Sequence, residues 1–240
     1  MRKKKISFMM QESINRHIIF TLLLIGAALV VFEFSSIDIW VQNYFYDFVT
    51  HTWLIEKNQP VLRFFFYDGI KMLLLIVGGV LLISFIFIKT MRPLQEYKKE
   101  LLLVLLAAIF VPAFIGSLKA VTNMPCPCDL QMYHGRYPAI GLFENYPQDF
   151  VQRSKIKCWP AGHASGGFAL MAFYFFFKSR KNRNRALIVA LCIGWGMGSY
   201  KMLIGDHFLS HTVFTMLFAW LIIVILAKCF RINPLLAEIG

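Results

Sequence analysis

Six apolar stretches, separated by polar connectors, set the rhythm of this chain. They cover residues 17–35, 61–88, 100–118, 164–178, 186–203 and 212–228. A helix that crosses a bilayer needs about 20 mostly apolar residues, and each stretch meets or approaches that length. The fourth is the shortest and begins inside the Pro160–His163 turn. The pattern predicts an all-α, integral-membrane six-helix bundle folded as one domain over residues 1–240. An even number of spans places both termini on one side.

The polar positions orient the bundle. Four cations lie in Met1–Lys5. Lys89, Arg92, Lys98 and Lys99 follow the second stretch, Lys178, Arg180, Lys181, Arg183 and Arg185 the fourth, and Lys228 and Arg231 the sixth. All fall on the side of the N-terminus, and an excess of Lys and Arg marks the cytoplasmic face. The expected location is a bacterial inner membrane, with both termini cytoplasmic. The opposite, periplasmic loops are 36–60, 119–163 and 204–211. No A-x-A-like site follows the first stretch, so the basic N-terminus reads as a retained anchor rather than a cleaved signal. The 36–60 loop mixes Trp, Tyr and Phe with polar residues, a composition that suits a helix in the headgroup layer. It either seats the protein as an aromatic belt or helps to admit a lipid. Asp68 and Lys71, three apart near the outer end of the second stretch, are expected to pair.

Composition agrees with this picture. Of 240 residues, 58% are hydrophobic and 16% aromatic, and the mean hydropathy is +0.60. The net charge of +12 sits at the ends of apolar runs, which argues against a nucleic-acid partner. The expected partners are the bilayer and a lipid within it.

Three periplasmic segments hold the candidate chemistry: Lys119–Pro127, Pro160–His163 and Lys201–His211. Cleaving a phosphate ester without a metal needs cations for the phosphate oxygens, an in-line nucleophile and an acid for the leaving oxygen. Lys119 and Lys201 end apolar runs. His163 follows a Pro-Ala-Gly turn at a helix start, where backbone N–H groups favour anions. His207 and His211 are four apart and share one helix face. Singly, each Lys reads as a snorkelling interfacial residue; their convergence on one face makes the phosphate pocket. The His207/His211 spacing also suits a metal pair, but no Glu completes H-E-x-x-H. No metal and no cofactor are expected.

These segments resemble the type 2 phosphatidic acid phosphatase superfamily, whose pattern is K-x6-R-P, then P-S-G-H, then S-R-x5-H-x3-D. Lys119 and Pro127 match the first motif, with Cys126 where Arg is expected. Pro160, Gly162 and His163 match the second, with Ala161 for Ser. In the third, Lys201 stands for Arg, His207 matches, and His211 stands for Asp. The motif-bearing stretch is 119–211. The resemblance implies that His207 attacks phosphorus, that His163 protonates the departing alkoxide, and that Lys119, Lys201 and backbone N–H groups near Gly162 bind phosphate oxygens.

The departures carry their own expectations. Arg136 is a candidate to replace the phosphate-binding fork lost at position 126. His211 takes the place of the carboxylate that orients the nucleophile; it can accept a hydrogen bond from His207 and fix its tautomer, with Asp206 or Asp129 as alternative carboxylates. A bridge from Cys126 or Cys128 to Cys158 would tie the first motif to the second in an oxidising compartment, and Cys126 is preferred because it replaces the phosphate-binding Arg. Cys192 and Cys229 read as inert packing residues.

The resulting functional reading is a metal-independent lipid phosphatase working through a phosphohistidine. Candidate substrates are lipid A phosphates, undecaprenyl diphosphate, phosphatidylglycerol phosphate and phosphatidic acid. A phosphotransferase using the same intermediate and a non-catalytic lipid-phosphate-binding protein are the alternatives. The oligomeric state is not legible.

Overall fold

The computed structural model describes residues 2–90 and 92–232, with side chains from residue 12 onward apart from 91–93. The basic cluster at Met1–Lys5 and Arg92, used above for orientation, therefore lie outside the described side chains. The architecture is helical: α1 (Arg2–Glu33), α2 (Ile37–Asn43), α3 (Pro60–Ile86), α4 (Lys98–Val121), α5 (Gly162–Ala169), α6 (Arg180–Leu203) and α7 (Leu209–Phe230). A hairpin of β1 (Tyr46–Asp47) and β2 (Thr52–Trp53) is the one sheet among the described residues.

Among the described residues, five helices are long and apolar enough to cross a membrane: Glu12–Glu33, Pro60–Ile86, Lys98–Val121, Arg180–Leu203 and Leu209–Phe230. The fourth apolar stretch differs from the other five. It forms α5 and then a tight 3₁₀ stretch over Leu170–Phe175, together about 24 Å long at standard rises, short of a 30 Å hydrocarbon core. It compensates by being buried: Ala164, Phe168, Ala169, Met171 and Ala172 are all inside. The bundle wraps around it, with α5 against α4, α6 and α7, and α1 against α7.

Helix α4 shows how one sequence face makes this core. Leu103, Val104, Ala107, Val111 and Ile115 recur at helical spacing and are fully inside, while Ile109 and Phe110 point outward. In water the outward face would be an error; in lipid it is the solvated side. Close approach is carried by glycine. A Cβ on Gly167 of α5 would lie 2.8 Å from the Cα of Gly194 on α6, so these helices meet backbone to backbone.

Three local expectations are corrected. The 36–60 segment is not one headgroup helix: apart from Pro60, which opens α3, only seven residues, Ile37–Asn43, are helical, and the hairpin follows. Its aromatics instead clamp the outer loops, because Tyr46 packs with Leu130, Tyr133 and Phe208. Asp68 pairs with Arg63 at 3.1 Å rather than with Lys71. Cys192 and Cys229 are exposed on the outside of the bundle rather than packed within it.

Candidate active site

The site lies where α4 and α6 end and where α5 and α7 begin. The turn between α6 and α7 brings its main parts together. Gly205, at φ +77°, takes the left-handed conformation that closes a helix. Its N–H reaches the Met202 carbonyl at 3.1 Å, and the Asp206 N–H reaches that of Lys201 at 2.8 Å, the paired bonds of a Schellman cap. The His207 N–H also donates to Lys201, at 3.2 Å. The cation and the imidazole are thus joined through one carbonyl.

His211 lies in the first turn of α7 but His207 sits in the turn before it, so the two do not share a helix face as their spacing suggested; the turn nonetheless buries both, with their Nδ1 atoms 3.2 Å apart. Burial first, then the neighbouring His211, Lys119, His163 and Lys201, holds the His207 imidazole well below its ordinary protonation range. It is therefore neutral at pH 7. His163, at the start of α5, has its ring centroid 5.8 Å from that of His207 and 5.1 Å from that of Tyr67. Lys119 lies beside Gly162, its Cδ 3.9 Å from where a Cβ on that glycine would stand. Among the described residues, His163 Nδ1, His207 Nε2 and His211 Nε2 are buried without a hydrogen-bond partner in the protein.

Lys201 is held from two sides. Its Nζ is 2.9 Å from Asp206 Oδ2 and 4.8 Å from the centre of the Tyr67 ring, a cation–π contact. Asp206 Oδ1 accepts from Lys57 at 2.7 Å. Burial works to raise the Asp206 pKa, but the hydrogen bonds and charges of Lys57 and Lys201 outweigh it and hold the carboxylate ionised. Asp206 thus serves the two lysines, while Asp129 Oδ2 accepts from the Cys126 N–H at 3.1 Å. Neither makes a hydrogen bond to the imidazole pair, so neither takes the orienting place considered for it.

Cys126 and Cys158 are joined in a disulfide, with Cα atoms 5.3 Å apart; Cys128 is a free thiol that burial pushes up to about 11. Cys158 Sγ lies 3.6 Å from His207 Nδ1, so the bridge pins the outer loop directly behind the imidazole pair. Arg136 is not part of this cluster. Its N–H donates to Asp129, and with Tyr137, Phe150 and Arg153 it lines a separate cavity of about 470 Å³. Lys57 and Tyr67 went unnoticed in the sequence. Lys57 reaches its partner across 149 residues, and only its place in the 36–60 loop, on the same expected side as the three motif segments, hinted at a role.

The arrangement provides two cations, a neutral buried imidazole with a supporting second imidazole, a third histidine nearby and the first turn of a helix. That set suits an anionic, tetrahedral group delivered from the membrane. Comparison with known proteins agrees with it. The lipid A 4'-phosphatase of Francisella tularensis subsp. novicida (strain U112) is 25% identical over 218 residues, covering 85% of this chain and 91% of that protein. No solved structure matches the chain. The sequence profile of the PAP2 superfamily matches residues 100–234, a span that takes in every histidine and lysine of the cluster except Lys57. Matched over more than half its length, and with the family's histidines gathered at one end of a helical bundle, the chain belongs to the PAP2 superfamily.

Proposed function

We propose that this protein is a membrane lipid phosphatase that uses His207 as nucleophile and needs no metal, with the phosphate of a lipid A-like glycolipid as its first candidate substrate. The observation that carries the reading is the facing pair of Nδ1 atoms at 3.2 Å. When His207 donates through Nδ1 to His211, its Nε2 lone pair is free to attack. As the Nε2–P bond forms, the bond from phosphorus to the lipid oxygen breaks, and His163 gives that oxygen a proton. Burial, Lys201 and Lys119 push His163 down to about 4 in the free protein, so it takes up that proton from water as the phosphate's negative charge enters and offsets the lysines. A water then attacks phosphorus and the Nε2–P bond breaks. The water's proton passes to His163, and phosphate leaves. Lys119, Lys201 and the first N–H groups of α5 hold the phosphate oxygens throughout. The substrate preference is supported by the name of the relative and by the basic outer loop (Arg136, Arg153, Lys155, Lys157). The inner-membrane location and periplasmic site are supported by the distribution of Lys and Arg.

The test is phosphate release by purified, detergent-solubilised protein from lipid A, phosphatidic acid, phosphatidylglycerol phosphate and undecaprenyl diphosphate, with EDTA present. We expect release from lipid A that His207→Ala abolishes. Release that needs added divalent metal, or that survives His207→Ala, would overturn the mechanism. Release from another lipid alone would move the substrate and leave the mechanism standing.

A further inference from the structure

The disulfide sits where a metal ligand would. Cys158 Sγ, a nitrogen of His207 and a nitrogen of His211 all lie within 4.8 Å of one another, and all three residues are buried. A tetrahedral zinc ion with usual bond lengths sets nitrogen–nitrogen edges of about 3.4 Å and nitrogen–sulfur edges of about 3.6 Å. The corresponding distances are 3.2 Å between the two Nδ1 atoms and 3.6 Å from Cys158 Sγ to His207 Nδ1. A disulfide sulfur is a poor ligand; a thiolate is a strong one.

We propose that Cys158, His207 and His211 form a latent three-ligand site for a borderline-soft divalent cation of the zinc type, closed by the Cys126–Cys158 bridge and opened by its reduction. Cys126 is the more accessible end of the bridge, because it is half-buried as a residue whereas Cys158 is fully buried. A dithiol attacks Cys126 and forms a mixed disulfide, releasing Cys158 as a thiolate. The second thiol of the reductant then displaces Cys126. In sum, two electrons and two protons pass from the dithiol, which leaves as its own disulfide, to the two cysteines. On binding, the cation replaces the Cys158 proton, which goes to solvent. The fourth position stays open, as in metal sites that hold three protein ligands and a water. The cation would take the His211 Nδ1 lone pair that accepts from His207, and the His207 Nδ1 lone pair freed when that ring's proton moves to Nε2. That this silences turnover rests on the phosphatase reading; that the cation binds does not.

The experiment uses full-length protein in detergent with Cys128, Cys192 and Cys229 replaced by Ser, titrated with Co2+ as a coloured substitute for Zn2+. After reduction and removal of the reductant without air, one equivalent of Co2+ should give a thiolate-to-cobalt charge-transfer band. The added Cys126→Ser change should give the same band without any reductant. The oxidised protein, Cys158→Ser and His211→Ala should not. The inference is overturned if the reduced form and Cys126→Ser, both helical by circular dichroism, show no band. It is equally overturned if the band persists in Cys158→Ser or His211→Ala. A positive band with no phosphatase activity in any form would refute the catalytic reading and leave the metal site standing.

Discussion

His211 occupies the position at which the family pattern has a carboxylate, and its surroundings explain how an imidazole can serve there. Its main chain is locked, since its carbonyl accepts from the Ala161 N–H at 3.2 Å and from Thr215 Oγ1 at 2.8 Å. The ring can therefore orient His207 without an ionised group in a buried pocket, where an unpaired charge is costly. His211→Ala should lower kcat by about 100-fold or more, by analogy with loss of the orienting residue in other histidine-dependent hydrolases, whereas His211→Asp should preserve or raise it. Steady-state kinetics on whichever lipid phosphate the release assay finds decide this, and a dead His211→Asp enzyme would sink the orienting role. Asp38 poses a different question of charge. Its Oδ1 accepts from the Ser210 N–H at 2.8 Å, and burial, partly offset by the Ser210 hydrogen bonds, raises its pKa from 3.8 to about 6. The folded protein holds that proton over a range in which an unfolded chain has released it. Stability should therefore fall as pH rises from about 4 to about 6, by about 3 kcal/mol for the full shift. Thermal unfolding against pH should show this decline in the native protein and its loss in Asp38→Asn.

Helix α5 is the element on which the site depends most. It is eight residues long, and it carries His163 in its first turn and Gly167 in its last. A methyl at position 167 would press on the backbone of Gly194, which cannot rotate away as a side chain would. Gly167→Ala should cost about 1–3 kcal/mol of stability. It should also cost activity, because a shift of about 1 Å at His163 is enough to lower turnover about 100-fold. Gly78→Ala on α3 is the contrasting case, since a Cβ there meets nothing within 4 Å, and both its stability and its turnover should match the native protein. Melting temperature and kcat measured side by side would separate the two. The apolar runs were legible as elements because span length is fixed by the bilayer and not by neighbours. The fourth run was legible as helical but not as a short buried plug, because hydropathy alone does not distinguish burial in protein from burial in lipid. The 36–60 segment misled for a related reason. Its aromatics suit the headgroup layer, and Trp40 and Tyr44 are indeed exposed, but Tyr46 and Trp53 pair with Tyr133 from a loop about 80 residues away.

Across the whole molecule, the ends of α4 and α6 and the starts of α5 and α7 meet at one pole, so the histidines and lysines were recoverable from hydropathy and motif order alone. Contacts made by long-range reach were not: Lys57 on Asp206, Asp38 on Ser210, and Tyr67 beside both His163 and Lys201. The orientation that follows from the Lys and Arg distribution makes a global prediction. A fluorescent protein fused after Gly240 should fold and fluoresce in a bacterial host, and a periplasm-dependent alkaline phosphatase at the same place should be inactive. The reverse pattern would invert the bundle and put the histidines on the cytoplasmic side. The Gly205 turn has a consequence for such a protein in a fluctuating bilayer. Lys201 and His207 hang from the same carbonyl, so a tilt of α6 moves the cation and the imidazole together. Thickness changes and passing lipids then act as a common-mode disturbance, in which the pair shifts relative to the membrane while its internal spacing stays fixed.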